Sequence, residues 1–372
     1  MTRSGSRNWH EIESPDELAR AVQQAGAGGS MAGWQLQDVD ASAQEDALLA
    51  LDPAGALVLG GTMSADLEQH LRDGGALVFP DVPGVPFDPW RPHLYTPEEL
   101  YAGLDDGGYP GTLDARVYGW SRRSHRGRLA DQLAMAIHDA SVDDALEERL
   151  RGHHVVGLMG GHAVSRTDEV YGAAARLAHR LAAGGLTVAT GGGPGAMEAG
   201  NLGARLGDSP PEVLDAALAE VAAVPSYSPD IGSWARTGLA AVTGHDDRPD
   251  SGRSVGIPTW HYGHEPPNVF ATSTAKYFRN AIREDVLLEK CRDGIVYLPG
   301  AAGTVQEVFQ AACTNYYADA DDVAPMVFVG EHHWTQVLPV WPLLRALADG
   351  RPMARSVVLV DDPADAASVL LG

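Results

Sequence analysis

The chain has 372 residues, 44% of them hydrophobic, and sets 27 Lys and Arg against 50 Asp and Glu for a formal net charge of −23. That length exceeds what one hydrophobic core usually serves, so two domains are expected, and the charge argues against nucleic-acid polymers and anionic membranes as partners. No apolar run reaches the roughly 20 residues of a membrane span, the polar start MTRSGSRNWHEIESPDEL lacks a signal-peptide core, and two cysteines, Cys291 and Cys313, imply no disulfide framework and fit a reducing cytoplasm.

In chain order, GALVLGG (55–61) reads as a buried strand, SADLEQHLRDGG as a short helix with a glycine stop, and ALVFPDV as a second strand. Five prolines in PGVPFDPWRPHLYTPEELY forbid a long helix or central strand until Thr96-Pro97 opens a new helix. Residues 1–120 are therefore expected to form a small α/β domain, and 121–153 a helical connector with a basic start. From 154 the pattern becomes regular. HVVGLMGG, LTVATGGG, RSVGIPTW, DGIVYLPG and APMVFVG read as apolar strands. Between them lie helical stretches, DEVYGAAARLAHRLAAGG, PGAMEAGNLGARLG, AKYFRNAIREDVLLEKC and TVQEVFQAACTNYYA. Alternation of this kind predicts a parallel sheet covered by helices on both faces, a Rossmann-like α/β architecture for 154–372. The polar, proline-containing, poorly periodic stretch 206–252 reads as an insertion over one sheet edge.

Three glycine-rich loops fall at expected strand ends: MGGHAVSRT, TGGGPGAME and PGAAGTVQE. In a doubly wound sheet that is where ligands bind, and a following helix lends backbone N–H groups to an anion. A dinucleotide fingerprint fits poorly. Gly191-x-Gly193-x-x-Ala196 has the spacing, but it follows the second strand of its domain and no acidic partner closes a strand some 20 residues on.

The run GLMGG…DEVYGAAARLAHRLAAGGLTVATGGGPGAMEAGNLGA, with YLPGAAGTVQE later, resembles the LONELY GUY (LOG) family over roughly residues 154–330. That family's hallmarks are GGGxxGxM and PGGxGTxxE, and its members cleave the N-glycosidic bond of nucleoside 5′-monophosphates. EPPN at 265–268 looks like its bacterial purine/pyrimidine nucleotide 5′-monophosphate nucleosidase branch, which carries an extra domain before the core. The resemblance implies a Rossmann-like sandwich, a homodimer or higher homo-oligomer, no cofactor and a nucleoside 5′-monophosphate substrate. It places phosphate binding on Gly191, Gly192, Gly193, Gly195, Gly300, Gly303 and Thr304, and catalysis on Glu307 with Arg283, Arg279 being the alternative arginine; Gly160, Gly161, Met197 and Glu198, from the same glycine loops, complete the expected phosphate- or nucleotide-binding set. The second glycine of PGG is Ala301 here; a positive φ at that position would cost an alanine about 1 kcal/mol.

Other readings of the same residues compete. Thr304-x-x-Glu307 is also a capping-box spacing, which would give the glutamate a purely local task. Glu198 either reaches a ribose or serves the helix N-terminus. His261-x-x-His264-Glu265 lacks a three-ligand spacing, so no metal is expected. Only Lys276 and Lys290 are present, which leaves a Schiff-base decarboxylase, the family's older label, without support. The expected activity is hydrolysis of nucleoside 5′-monophosphates to base and ribose 5-phosphate. Alternatives are cytokinin riboside monophosphate hydrolysis and non-catalytic binding of a nucleotide or phosphorylated cofactor.

Overall fold

The computed structural model describes residues 9–124, 128–243, 253–263 and 265–372. The chain forms two compact units, Met1–His93 with Arg122–Ala145, and Leu94–Ser121 with Leu146–Gly372.

The first unit carries a four-stranded parallel sheet in sequence order, β1 (His10–Ile12), β2 (Trp34–Gln37), β3 (Leu57–Leu59) and β4 (Leu77–Phe79). The register sets Ile12, Leu36, Val58 and Val78 in one row across the sheet. Leu18 from helix Pro15–Ala25 joins this row in the core, with Leu67 and Leu71 from helix Ala65–Asp73. Both helices start on serine caps: Ser14 accepts from the Glu17 N–H and Ser64 from the Leu67 N–H. The strands around 57 and 77 are those expected. β2 was hidden because Gln35 and Gln37 interrupt its apolar residues.

The second unit holds a seven-stranded, wholly parallel sheet. Its strands are β5 (Val155–Met159), β6 (Thr187–Thr190), β7 (Ser254–Gly256), β8 (Ser273–Thr274), β9 (Ile295–Tyr297), β10 (Met326–Val329) and β11 (Val357–Val360), in the order β11-β10-β9-β5-β6-β7-β8. Every residue of β5, β6, β9 and β10 is buried, as a sheet covered on both faces requires. The chain enters at β5, moves outward to β8, and returns to β9 on the other flank of β5. The strand order thus reverses between β5 and β9, which opens a crevice at their carboxyl ends.

Three expectations change. Residues 206–243 are helical rather than aperiodic: they contain helices Pro211–Val221 and Ile231–Val242, while 244–252 lie outside the described residues. The prolines that disguised the first helix occupy its N-cap and first position, where a missing N–H costs nothing. The AKYF stretch is not helical; Tyr277 bridges to Thr259, and the helix begins at Asn280.

The boundary at 120 also moves, since residues 94–121 belong to the second unit. Tyr95 exchanges both backbone hydrogen bonds with Thr274. Asp114, fully buried, accepts from Lys276 Nζ at 2.6 Å, from Trp260 Nε1 at 2.8 Å and from the Tyr109 hydroxyl at 2.8 Å. The expected connector at 121–153 resolves into helices Leu113–Ser124 and Leu129–Leu150, whose residues are divided between the units. Among the described residues no helix is long and apolar enough to cross a membrane.

Burial lowers the Lys276 pKa despite the adjoining carboxylate, so Asp114→Ala strands an ammonium in the interior. A loss of about 3–5 kcal/mol is expected in urea unfolding, and an Asp114→Leu/Lys276→Met double variant recovers much of it.

Candidate functional site

The crevice collects the three glycine loops. The loop after β5 and the loop after β9 meet directly: the Gly161 N–H donates to the Pro299 carbonyl at 3.3 Å. The loop after β6 joins them through the Ala196 N–H, which donates to the Gly161 carbonyl at 3.1 Å. Only the second and third loops lead straight into helices, Ala196–Arg205 and Ala302–Tyr317; the first runs on to Asp168 before helix Glu169–Ala183 begins.

Close approach explains the glycines of the second loop. Gly195 has φ 71°, and a Cβ there would stand 2.5 Å from the Gly161 carbonyl oxygen and 2.7 Å from that of His162. At Gly191 and Gly193 a Cβ would meet the Met197 side chain at 2.8 and 3.0 Å. Met197 therefore packs beneath the loop. The loop is pinned by a buried polar knot. Asn268 donates its backbone N–H to the Gly192 carbonyl at 2.8 Å and its Nδ2 to the Gly193 carbonyl at 3.1 Å. The same Nδ2 reaches Asn201 Oδ1 at 2.8 Å, and the Thr190 hydroxyl donates to that oxygen at 2.7 Å. Asn201 Nδ2 in turn donates to Ser254 Oγ and the Val255 carbonyl, both at 3.1 Å.

The two helix N-termini differ in availability. In Ala196–Arg205 the N-cap Gly195 N–H is taken by Glu198, half of a capping box with the glutamate at the third helical position. Glu198 is 1% exposed and also receives Arg166, whose Nε and Nη2 lie 2.9 and 2.5 Å from its Oε1. Burial still holds its pKa above the ordinary carboxylate range. Glu198 is thus paired in the interior and serves the helix N-terminus, the second of its two expected roles. Helix Ala302–Tyr317 has no side-chain cap on its N-cap Ala301, and residues 301–303 are exposed. Its first-turn N–H groups are left open at the crevice, the kind of helix end whose partial positive charge suits an anion.

Ala301 has φ −122°, where an L-residue carries no strain, so replacing the motif's glycine costs nothing in backbone conformation. Gly300 is required for a different reason: a Cβ there would press on Thr304 Oγ1 at 2.2 Å. Thr304 sits inside the helix rather than capping it, which removes the capping-box reading of Glu307. Gly303 stands in open space. His333, from the turn after β10, holds the Gly300 N–H at 3.4 Å.

Beside the open helix end, Arg283 lies buried on helix Asn280–Lys290, its Nη1 3.5 Å from the position a Gly191 Cβ would take. Nη2 stands 3.0 Å from Glu284 Oε1 and donates to Asn280 Oδ1 at 3.1 Å. Nη1 is 4.0 Å from Glu307 Oε1. Arg279, the alternative, is exposed at the N-cap of the same helix. Glu307 projects from the second turn of helix Ala302–Tyr317, its side chain 12% exposed. Burial, and then the Glu284 charge, push its pKa up to about 8 against the pull of Arg283.

No family model and no curated protein matches this chain. The site therefore stands on its own geometry.

That geometry adds Glu265, which was not singled out as a site residue. Its Oε2 lies 3.5 Å from the position of a Gly193 Cβ, and its Oε1 3.5 Å from His162 Nδ1. The EPPN run and the His261-x-x-His264-Glu265 spacing were its signals. Of the suspected His261/His264/Glu265 trio, His264 lies outside the described residues. Among the described residues no group of three or more His, Cys, Asp or Glu could hold a metal ion.

Asn268→Ala leaves several buried partners unpaired, and a loss of roughly 2–4 kcal/mol is expected in chemical denaturation. Glu307 yields a second expectation. Its folded pKa of about 8 exceeds the ordinary 4.5, so its protonated form stabilises the fold and that contribution is lost as pH rises from 4.5 through 8. Glu307→Gln cannot ionise; above pH 8 it should melt several degrees higher than the wild type by calorimetry.

Proposed function

We propose that the second unit hydrolyses the N-glycosidic bond of nucleoside 5′-monophosphates, releasing the base and ribose 5-phosphate. The observation that carries this reading is a carboxylate of raised pKa, Glu307, held by Arg283 one and a half turns from an uncapped helix N-terminus. An anion and a reacting carbon one sugar away from it fit these two features together. The 5′-phosphate takes the first-turn N–H groups of helix Ala302–Tyr317, a local attraction that works against the net charge of −23.

With the phosphate anchored, the ribose is held near Glu307, and orientation lowers the barrier. Cleavage of the glycosidic bond sends its electron pair to the base, which takes up a proton from solvent, and leaves an oxocarbenium-like sugar. Ionised Glu307 stabilises that cation and takes a proton from the attacking water, whose oxygen bonds to the anomeric carbon. Arg283, already shared with Glu284 and Asn280, orients the carboxylate rather than reaching for the phosphate. Glu265 and His162, over Gly193, are placed to meet sugar hydroxyls or the base edge. A homo-oligomer and cytokinin nucleotides as substrates belong to the same reading, through the motifs shared with the LOG family.

Chromatography of AMP, GMP, IMP, CMP, UMP and isopentenyl-adenosine monophosphate incubated with the protein tests it. Base release from at least one is expected, with kcat/KM rising with pH through a limb near 8 as Glu307 ionises. Glu307→Gln should lower kcat by about a hundred- to ten-thousand-fold. A protein that releases no base while nucleotides still raise its melting temperature is a binder, and the hydrolase reading falls.

A further inference from the structure

Glu307 is an acceptor short of donors: its one close partner in the described structure is Arg283, at 4.0 Å. Two buried donors on the same side of the sheet are short of acceptors. Arg283 Nε and the Tyr297 hydroxyl have no hydrogen-bond partner among the described residues. Tyr297 is the last residue of β9 and is fully buried. Ile295, two residues before it and so on the same face, packs with Cys291 around Gly157, where an added Cβ would meet Cys291 Sγ at 2.9 Å and Ile295 Cγ2 at 3.2 Å. Cys291 directly follows helix Asn280–Lys290, the carrier of Arg283. The Tyr297 ring stacks on its cross-strand partner Phe328 at 4.9 Å, which fixes the direction of its hydroxyl. The Glu307 charge acts on both the Tyr297 hydroxyl and the Cys291 thiol, so these groups share one electrostatic neighbourhood.

We propose that Tyr297 is a positioning residue for Glu307: its hydroxyl donates a hydrogen bond to the carboxylate once that group ionises, and so holds it in its working orientation. The reading rests on Glu307 being the group that acts as base. Burial keeps the phenol protonated, which leaves it able only to donate to an anionic oxygen. Protonated Glu307 needs no such donor, and the hydroxyl then stands alone. The other groups facing Glu307 are Arg283 and Glu284 from helix Asn280–Lys290 and Cys291 at its end. Arg283 favours the ionised form, whereas Glu284 opposes it. Tyr297 is the neutral donor that tips this balance.

The test titrates Glu307 directly in the full chain, by NMR of side-chain-carboxyl 13C-glutamate, the resonance being the one missing from Glu307→Gln. Tyr297→Phe keeps the ring and its stacking, and is expected to raise the Glu307 midpoint by about one pH unit. In an active enzyme the acidic limb of kcat/KM moves by the same amount. A midpoint unchanged from the wild type overturns the proposal, as does lost activity with an unmoved limb, which marks a merely structural tyrosine. A reciprocal measurement needs no tyrosine variant: with 13Cζ-tyrosine, one resonance should titrate with the Glu307 midpoint in the wild type and stay flat in Glu307→Gln. Failure of any tyrosine to do so is equally decisive. Since no substrate is involved, these titrations answer even if the protein releases no base.

Discussion

The second unit depends on the amide of Asn268. Its side chain fills every hydrogen-bonding position it has among buried atoms: Nδ2 serves Gly193 and Asn201, and Oδ1 receives the Phe270 and Ala271 N–H groups. Through Asn201 the same knot reaches the end of β6 and the backbone of β7. Away from water each of these groups would be costly to leave unpaired, so the loop between β6 and helix Ala196–Arg205 has one conformation available. Everything else in the crevice is measured from that fixed loop. Gly195 brings it against Gly161, and Gly161 binds Pro299, which sets the third loop at its distance.

A loop so constrained is a keystone more than a cradle. Residues 191–195 are buried among Met197, Arg283 and Glu265, and the positive end of the helix behind them is answered internally by Glu198. The exposed, uncapped helix end belongs to the Pro299–Thr304 loop instead. The loops therefore differ: one is built into the crevice wall, and the other leaves the N–H groups of its helix uncapped and exposed.

Two glutamates show how surroundings separate chemically identical groups. Glu198 takes Arg166 at 2.5 Å, an arginine also tied to the Val224 and Trp234 carbonyls, with a backbone N–H in addition. Glu307 has a more distant share of Arg283, which is already engaged by Glu284 at 3.0 Å. Both are raised in pKa by burial, but only Glu307 lacks a committed hydrogen-bond partner. A carboxylate that is desolvated and under-partnered is poised to exchange protons; one that is desolvated and fully paired is a strut.

The α/β class, the parallel sheet and the position of each glycine loop at a strand end were legible from the chain alone, because apolar runs, helical spacing and glycine stops are local signals. The resemblance carried by TGGGPGAME and PGAAGTVQE pointed to Glu307 with Arg283 or Arg279, and folding brings Arg283 within 4.0 Å of Glu307. Short strands with polar residues, such as β2, and the helix behind Pro210-Pro211 were not legible, since their burial is set by what lies across from them. The same reason governs the site. Sequence placed Glu198 and Glu307 alike, each near the start of a helix after glycines. Only the tertiary structure decided that Arg166 closes over the first and that Glu284 competes for the arginine of the second. It also decided that Ala301 sits at a φ any residue accepts, and that Glu265 comes to rest over Gly193. Periodicity and turn chemistry are written within a few residues of each other; partners, burial and the pKa values that follow from them arise between residues the chain brings together only on folding.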